Sequence, residues 1–229
     1  ESVLMDLLNT IDKNVPEILP RRYGEFEPPK EKWSGIPTFV SFLLQNSKSS
    51  IVLYPSKPVD YVHFGIPPFI GPIRMGYRFS HFAITIDSAV IEMPGWKIAL
   101  ERLFRHLSII LCPFYADIRI LKNHIRSRSV SYSDQTTEHH PIISWWWNGI
   151  PRRLGIAMVL GEPVLSQVKI RNNAIKLAND CHYISHLAND ELSEITNDEI
   201  DISEDIYQVP AEPYNMFGNQ EKKYMEIAG

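Results

Sequence analysis

The sequence predicts an α+β fold, a largely antiparallel β-sheet with helices packed on it, on three observations. Apolar residues recur at helical spacing over residues 2 to 13 and 94 to 111. Between and after these stretches the period drops to two, as in Arg78 to Asp87 and Phe114 to Ile120. Helical and strand-like segments mix without strict alternation, which favours α+β over a parallel βαβ arrangement.

Taken in order, Val3, Leu4, Leu7, Leu8 and Ile11 form one face of a first helix, with Asp6, Asn9 and Asp12 between them and Pro16 beyond its end. Pro20 to Pro29 is too rich in proline for regular structure and reads as an extended connector. Pro37 opens a second helix that runs to Asn46, with Phe39, Val40, Leu43 and Leu44 on its buried face. Ile51 to Tyr54, Tyr61 to Phe64 and Arg78 to Asp87 are strands; in the last, Phe82, Ile84 and Ile86 share a face. Trp96, Ala99, Leu100, Leu103, Phe104, Leu107 and Ile110 mark a third helix, which Pro113 stops. Phe114 to Ile120 alternates as a half-buried strand. Residues 122 to 141, polar and rich in Ser, Thr and His, read as an exposed loop. Order returns at Ile142 to Trp147; Gly149 to Arg153 turns, Gly155 to Leu160 is a buried strand, and Val164 to about Ala178 reads as a helix.

With 229 residues, 44% of them hydrophobic, the chain can bury a sizeable core. The expected organisation is one α+β domain over residues 1–187, followed by an acidic C-terminal extension, 188–229, packed on it or partly mobile. Cys112 and Cys181 are too few for a disulfide framework, and Cys112, in the apolar run Leu111 to Phe114, reads as a small buried hydrophobe in a reducing compartment. The longest apolar stretches fall short of the ~20 residues of a membrane helix. Glu1 to Leu4 shows no basic leader, so a soluble, cytoplasmic protein with no membrane partner is expected.

Charge is divided along the chain. Residues 1–176 hold 21 Lys/Arg against 15 Asp/Glu and residues 177–229 hold 2 against 12, so the net of −4 conceals a body of +6 and a tail of −10. Such a split points to electrostatic complementarity with another macromolecule. Its sharpest part holds Asp190, Glu191, Glu194, Asp198, Glu199, Asp201, Glu204 and Asp205, interspersed with Leu192, Ile195, Ile202 and Ile206 at near-helical spacing. An amphipathic helix with a carboxylate face is expected there, against the plainer reading of a solvated tail that keeps the protein soluble.

Local motifs for catalysis or ligand binding are weak. Gly71 and Gly76 have the spacing of a phosphate loop, but Tyr77 and Arg78 stand where Lys and Ser/Thr are required. His182 and His186 would share a helix face near Cys181 and Asp180, yet the general-base Glu of a zinc hydrolase is missing and a structural zinc takes four ligands. His139 and His140 are neighbours in a polar loop with no distant partner marked. No Gly-x-Ser-x-Gly elbow occurs and neither cysteine has a nucleophile's context, so no catalytic residue, cofactor or metal is assigned. If Trp145-Trp146-Trp147 is extended, Trp146 points away from its neighbours, so the three do not share one core; a contact surface competes there with plain core packing. Arg21-Arg22, Arg126-Ser127-Arg128 and Arg152-Arg153 could grip phosphate, but no nucleic-acid motif surrounds them and a solvated surface is the ordinary reading.

Arg22-Tyr23-Gly24-Glu25-Phe26-Glu27-Pro28, the passage from Phe82 to Trp96, and Trp147-Asn148-Gly149-Ile150-Pro151 leading to Val159-Leu160-Gly161-Glu162-Pro163 occur in this order. Over roughly residues 3 to 175 the chain resembles a bacterial immunity protein family associated with polymorphic toxins, in which an Arg/Lys-Tyr-Gly element precedes Glu-Pro and a Gly-Leu-Pro element precedes Leu-Gly-Pro-Pro. Ile150 stands where Leu is commoner, Glu162 interrupts the Leu-Gly-Pro-Pro pattern, and residues 190–205 lie beyond the resemblance. The resemblance implies a cytosolic protein that neutralises a cognate toxin domain by tight, stoichiometric binding and catalyses nothing.

Together with the charge, this makes Asp190, Glu191, Glu194, Asp198, Glu199, Asp201, Glu204, Asp205 and Trp146 the toxin-interface candidates, the carboxylates facing a basic cleft. Two other classes compete. An enzyme could assemble its site from His63, His81 and Arg78, on or near predicted strands, and would show a deep pocket with perturbed titratable groups. A nucleic-acid binder could be restrained by its own acidic tail, although nucleic acid is not the expected partner. A segment 190–205 folded onto the arginines of its own body, beside an enclosed cavity with converging acid and base groups, would contradict the interface reading.

Overall fold

The computed structural model describes residues 1–25, 28–46, 50–65, 80–121, 129–131, 137–139, 149–171 and 174–207. The chain is α+β and divides into two compact units, residues 1–111 and 112–229. Residues 188–207 therefore belong to the second unit.

In the first unit, α1 (Ser2–Asn14) is followed by β1 (Arg22–Gly24), β2 (Glu31–Lys32), α2 (Ile36–Asn46), β3 (Ser50–Tyr54), β4 (Val59–Gly65), β5 (His81–Ile86) and α3 (Trp96–Leu111). The strands form one antiparallel sheet in the order β2-β1-β3-β4-β5. Apolar residues at i, i+1 and i+4 place Leu7, Leu8 and Ile11 of α1 in the core, where α2 adds Phe39, Val40 and Leu43 and α3 adds Leu103 and Leu107. Ile51, Leu53, Val62 and Phe64 complete the same cluster from the sheet, and Phe82, Ile84 and Ile86 of β5 pack against it. Before α3, the Asp87 side chain accepts from the Ala89 amide (3.0 Å), capping the short helical turn Ser88–Glu92.

The proline-rich connector is corrected in one respect: its Arg22–Gly24 portion is a sheet strand between β2 and β3. Pro20, Pro28 and Pro29 lie outside the paired residues, so the ladder loses no donor to them. Tyr23 is buried there edge-on to Phe39 and Phe42, with ring centroids 4.8 and 5.0 Å away.

The second unit contains β6 (Tyr115–Ile118), β7 (Ser129–Ser131), β8 (Thr137–His139), β9 (Ala157–Leu160), β10 (Val168–Ile170), β11 (Ile175–Lys176), β12 (His182–Ser185) and β13 (Ile200–Ile202). A four-stranded antiparallel sheet runs β11-β12-β9-β6, and two-stranded ladders join β10 to β13 and β7 to β8. All four residues of β9 are fully buried, which explains its unbroken apolar run: a central strand covered on both faces has no polar side. Met158 and Leu160 join Ile150, Leu154, Val164, Ile184, Ile195, Ile200, Ile202 and Ile206 in one core.

Three expectations for this unit are overturned. Val164 to Ala178 is no helix: after a short helical turn, Leu165–Gln167, the chain enters β10 and then β11. Val168 and Ile170 flank an exposed Lys169, a period-two pattern with β-branched residues that suits a strand once a partner is present. The acidic segment is not an amphipathic helix either, because Ile200 and Ile202 point inward with Asp201 outward on β13. Lastly, the polar stretch read as a loop contains the antiparallel pair β7 and β8.

Candidate functional site

The acidic segment is held in place by its own backbone and its isoleucines. β13 pairs with β10 in the register Val168↔Ile202, Lys169↔Asp201 and Ile170↔Ile200. Outside that ladder, the Ile195 amide donates to the Gly155 carbonyl (3.0 Å), the Arg171 amide to the Glu199 carbonyl (2.8 Å), and the Ile150 amide to the Ile206 carbonyl (2.8 Å). Ile195, Ile200, Ile202 and Ile206 are all buried, and each is worth about 1.5–3 kcal/mol of transfer free energy. That sum exceeds what exposed ion pairs contribute, about 0–1 kcal/mol each, so apolar burial fixes the segment and charge only orients its side chains.

Glu194, Asp201, Glu204 and Glu199 each pair with a described residue of the same unit. Arg153 donates to Glu194 through two nitrogens, Nε to Oε2 at 3.2 Å and Nη2 to Oε1. Arg152 donates to Glu204 and Arg171 to Asp201, each at 2.9 Å and each well exposed. Glu199 lies 2.8 Å from His186 Nε2 in a more sheltered pair. Burial tends to raise the Glu199 pKa, but hydrogen bonds from the Thr196 amide (3.1 Å), the His186 ring and the Thr196 hydroxyl outweigh it and hold the carboxyl below its ordinary value.

The segment thus folds onto the arginines of its own body, which corrects the expectation of a face presenting all eight carboxylates. Asp190, Glu191 and Asp198 are exposed and form no ion pair among the described residues; Asp205 is exposed and accepts from the Ser203 hydroxyl. These four point outward. Arg152 and Arg153, read from sequence as a solvated cationic pair that could grip phosphate, are paired with Glu204 and Glu194, and Arg152 also lies 5.2 Å from the centroid of the Tyr207 ring.

The histidines divide differently from expectation. His182 opens β12 and His186 follows its end, so they share no helix face; four strand positions separate them by ~13 Å. No group of three or more His, Cys, Asp or Glu among the described residues could hold a metal ion. His63 and His81 are brought together across β4 and β5, with His81 Nε2 2.8 Å from His63 Nδ1. Burial, reinforced by the neighbouring His81, drives the His63 pKa down to about 4, and burial lowers that of His81. At neutral pH the two rings are therefore uncharged, one donating to the other.

Among the described residues, one open recess is lined by Arg21, Arg22, Lys32, Trp33, Tyr54 and Pro55, and another by Ile98, Glu101, Arg102, Arg105, His106 and Ile109 of α3. Neither includes the histidine pair or the acidic segment. Arg78, Gly71, Gly76, Arg126, Arg128, His140 and Trp145 to Trp147, including the contact candidate Trp146, lie outside the described residues. Among the described residues no helix is long and apolar enough to cross a membrane. Comparison with protein-family models, with curated proteins and with solved structures finds no match to the chain.

Proposed function

We propose that this chain is a cytoplasmic immunity protein that neutralises a cognate toxin domain by stoichiometric, non-catalytic occlusion. The observation that carries the reading is a negatively charged surface held ready-made: Asp190, Glu191, Asp198 and Asp205 are exposed on a segment whose backbone is pinned by β13 and four buried isoleucines. A face that is already ordered loses little conformational entropy when a partner docks. Its excess of negative charge accelerates capture of a cationic partner and disfavours acidic ones. The exposed Arg152–Glu204 and Arg171–Asp201 pairs cost little to break, so a toxin's own cations can replace those arginines at the rim. The resemblance over residues 3 to 175 supports the same role, and Trp146 stays a contact candidate on the general preference of Trp for interface centres.

The test is a titration against any toxin domain found encoded beside this chain. Toxin activity is expected to fall linearly with added protein and vanish at one equivalent, with active toxin recovered intact when the complex is dissociated by salt or denaturant. Neutralisation of many equivalents by one molecule, or recovery of chemically altered toxin, would mean that the chain is an enzyme.

A further inference from the structure

Cys112 and Cys181, 69 positions apart, bring their sulfurs to 4.0 Å. Cys112 is not the buried hydrophobe its apolar surroundings predict: it is exposed directly after α3, with φ at 46°, whereas Cys181 is buried. Cys181 is firmly seated. Its amide donates to Asn179 Oδ1 (3.3 Å), its carbonyl accepts from the Leu177 amide (2.8 Å), and its sulfur lies 3.7 Å from the Pro113 carbonyl oxygen. Residue 161 must be glycine to leave that space, since a Cβ there would stand 2.9 Å from the Cys181 sulfur.

We propose that Cys112 and Cys181 form a reversible thiol–disulfide site whose reactants are low-molecular-weight disulfides such as oxidised glutathione, with Cys112 attacking and Cys181 resolving. The Cys112 thiolate attacks one sulfur of the small disulfide, forming a mixed disulfide and expelling one thiolate. The Cys181 thiolate then attacks Cys112 Sγ, and the second small thiolate leaves. Two protein thiols lose two electrons and two protons, and one small disulfide becomes two small thiols. The division of roles follows from access, because only an exposed sulfur can meet the reagent.

Burial first, and then the charge and hydrogen bonding of Cys112, push the Cys181 thiol up to about 11. Capping Cys112 removes the second and third of these causes, which eases ionisation of the resolving thiol while burial, the largest, remains. Closing from 4.0 Å to the ~2.05 Å of a disulfide needs about 2 Å of sulfur travel, which falls to the exposed Cys112 side chain rather than to the buried Cys181. The bond would tie the stretch before β6 to the turn before β12, the two strands that flank β9 in the sheet.

The experiment exposes the full, folded chain to oxidised glutathione, quenches with an alkylating agent under denaturing conditions, and reads intact mass and peptide maps. The wild type is expected to lose both alkylatable thiols, carry no glutathione and yield a cross-linked 112–181 peptide pair that dithiothreitol releases. Cys181→Ser is expected to accumulate one glutathione on Cys112, and Cys112→Ser to keep Cys181 unmodified. Wild-type protein that holds glutathione as stably as Cys181→Ser, or that retains two alkylatable thiols, would overturn the proposal.

Discussion

Gly155→Ala is expected to destabilise the second unit by about 3 kcal/mol or more, at the top of the usual range for overpacking. A Cβ at this position would lie 2.3 Å from the Ile118 carbonyl oxygen and 3.0 Å from that of Ala157, and both obstacles are backbone. Neither can move without a loss. The Ile118 carbonyl accepts from the Ile156 amide at 2.8 Å, where β6 and β9 come together, and the Gly155 carbonyl accepts from Ile195, which anchors the acidic segment. Relief of the clash must therefore open one of those bonds. Gly161→Ala should behave alike, with a Cβ 2.4 Å from the Pro113 carbonyl oxygen. Gly24→Ala is the contrast: its nearest neighbours lie at 3.4–3.6 Å, and its cost should stay within about 1 kcal/mol. Urea unfolding of the full chain, with amide exchange in β9 and β12, measures all three; a Gly155→Ala variant as stable as Gly24→Ala would show that the two strands are not packed this closely.

Acidification is expected to weaken the first unit well before ordinary carboxylates titrate. The His63 pKa is lowered on folding from 6.5 to about 4, so the folded state resists a proton that the unfolded chain accepts. Above pH 6.5 both states are neutral and nothing is lost; stability then falls as the pH drops from 6.5 toward 4 and levels off once the folded ring also protonates. The gap converts to about 3 kcal/mol for His63 alone, and His81, also lowered by burial, acts in the same direction. Glu199 works in another window and another unit, since its lowered pKa removes stability only as the pH falls below the group's ordinary value of 4.5. Urea midpoints between pH 7 and 4.5, with amide exchange in β4 and β5 locating the loss, should show the slope in wild type and its flattening in His63→Gln/His81→Gln. An unchanged slope in the double variant would assign the effect to other groups.

Local periodicity made the helices and β9 legible. The apolar faces of α1, α2 and α3 each follow the 3.6-residue repeat, except that Val3 and Leu44, assigned to those faces, are exposed; Pro37 lies in the first turn of α2, and Pro16 and Pro113 lie just past the ends of α1 and α3. β9 showed itself as an unbroken apolar run. What stayed hidden was decided by partners distant in sequence. Val168-Lys169-Ile170 and Ile200-Asp201-Ile202 are alternations of only three residues inside stretches whose wider spacing also suits a helix. The ladder that sets Lys169 against Asp201 chooses the strand.

The candidate site shows the same limit. Its carboxylates could be named from composition, but pairing removes Glu194 through an arginine 41 positions away and Glu204 through one 52 positions away. Which carboxylates pair with arginines thus appears only once residues 152–171 and 194–204 have met. Likewise, strand periodicity placed His63 and His81 individually, while their hydrogen bond depends on the β4–β5 register. Cys112 misled because its neighbours are apolar, yet the chain leaves α3 there in a left-handed conformation that turns the residue outward.

Capture of a cationic toxin by the outward carboxylates is read in the association rate with that toxin as a function of ionic strength. Asp190→Lys/Glu191→Lys/Asp198→Lys reverses three exposed charges that form no ion pair among the described residues, so folding should be unaffected. Association is expected to be at least about ten-fold slower at low salt, with a flattened salt dependence and little change in dissociation. Rates and salt dependence indistinguishable from wild type would contradict it and leave this surface a solubilising one.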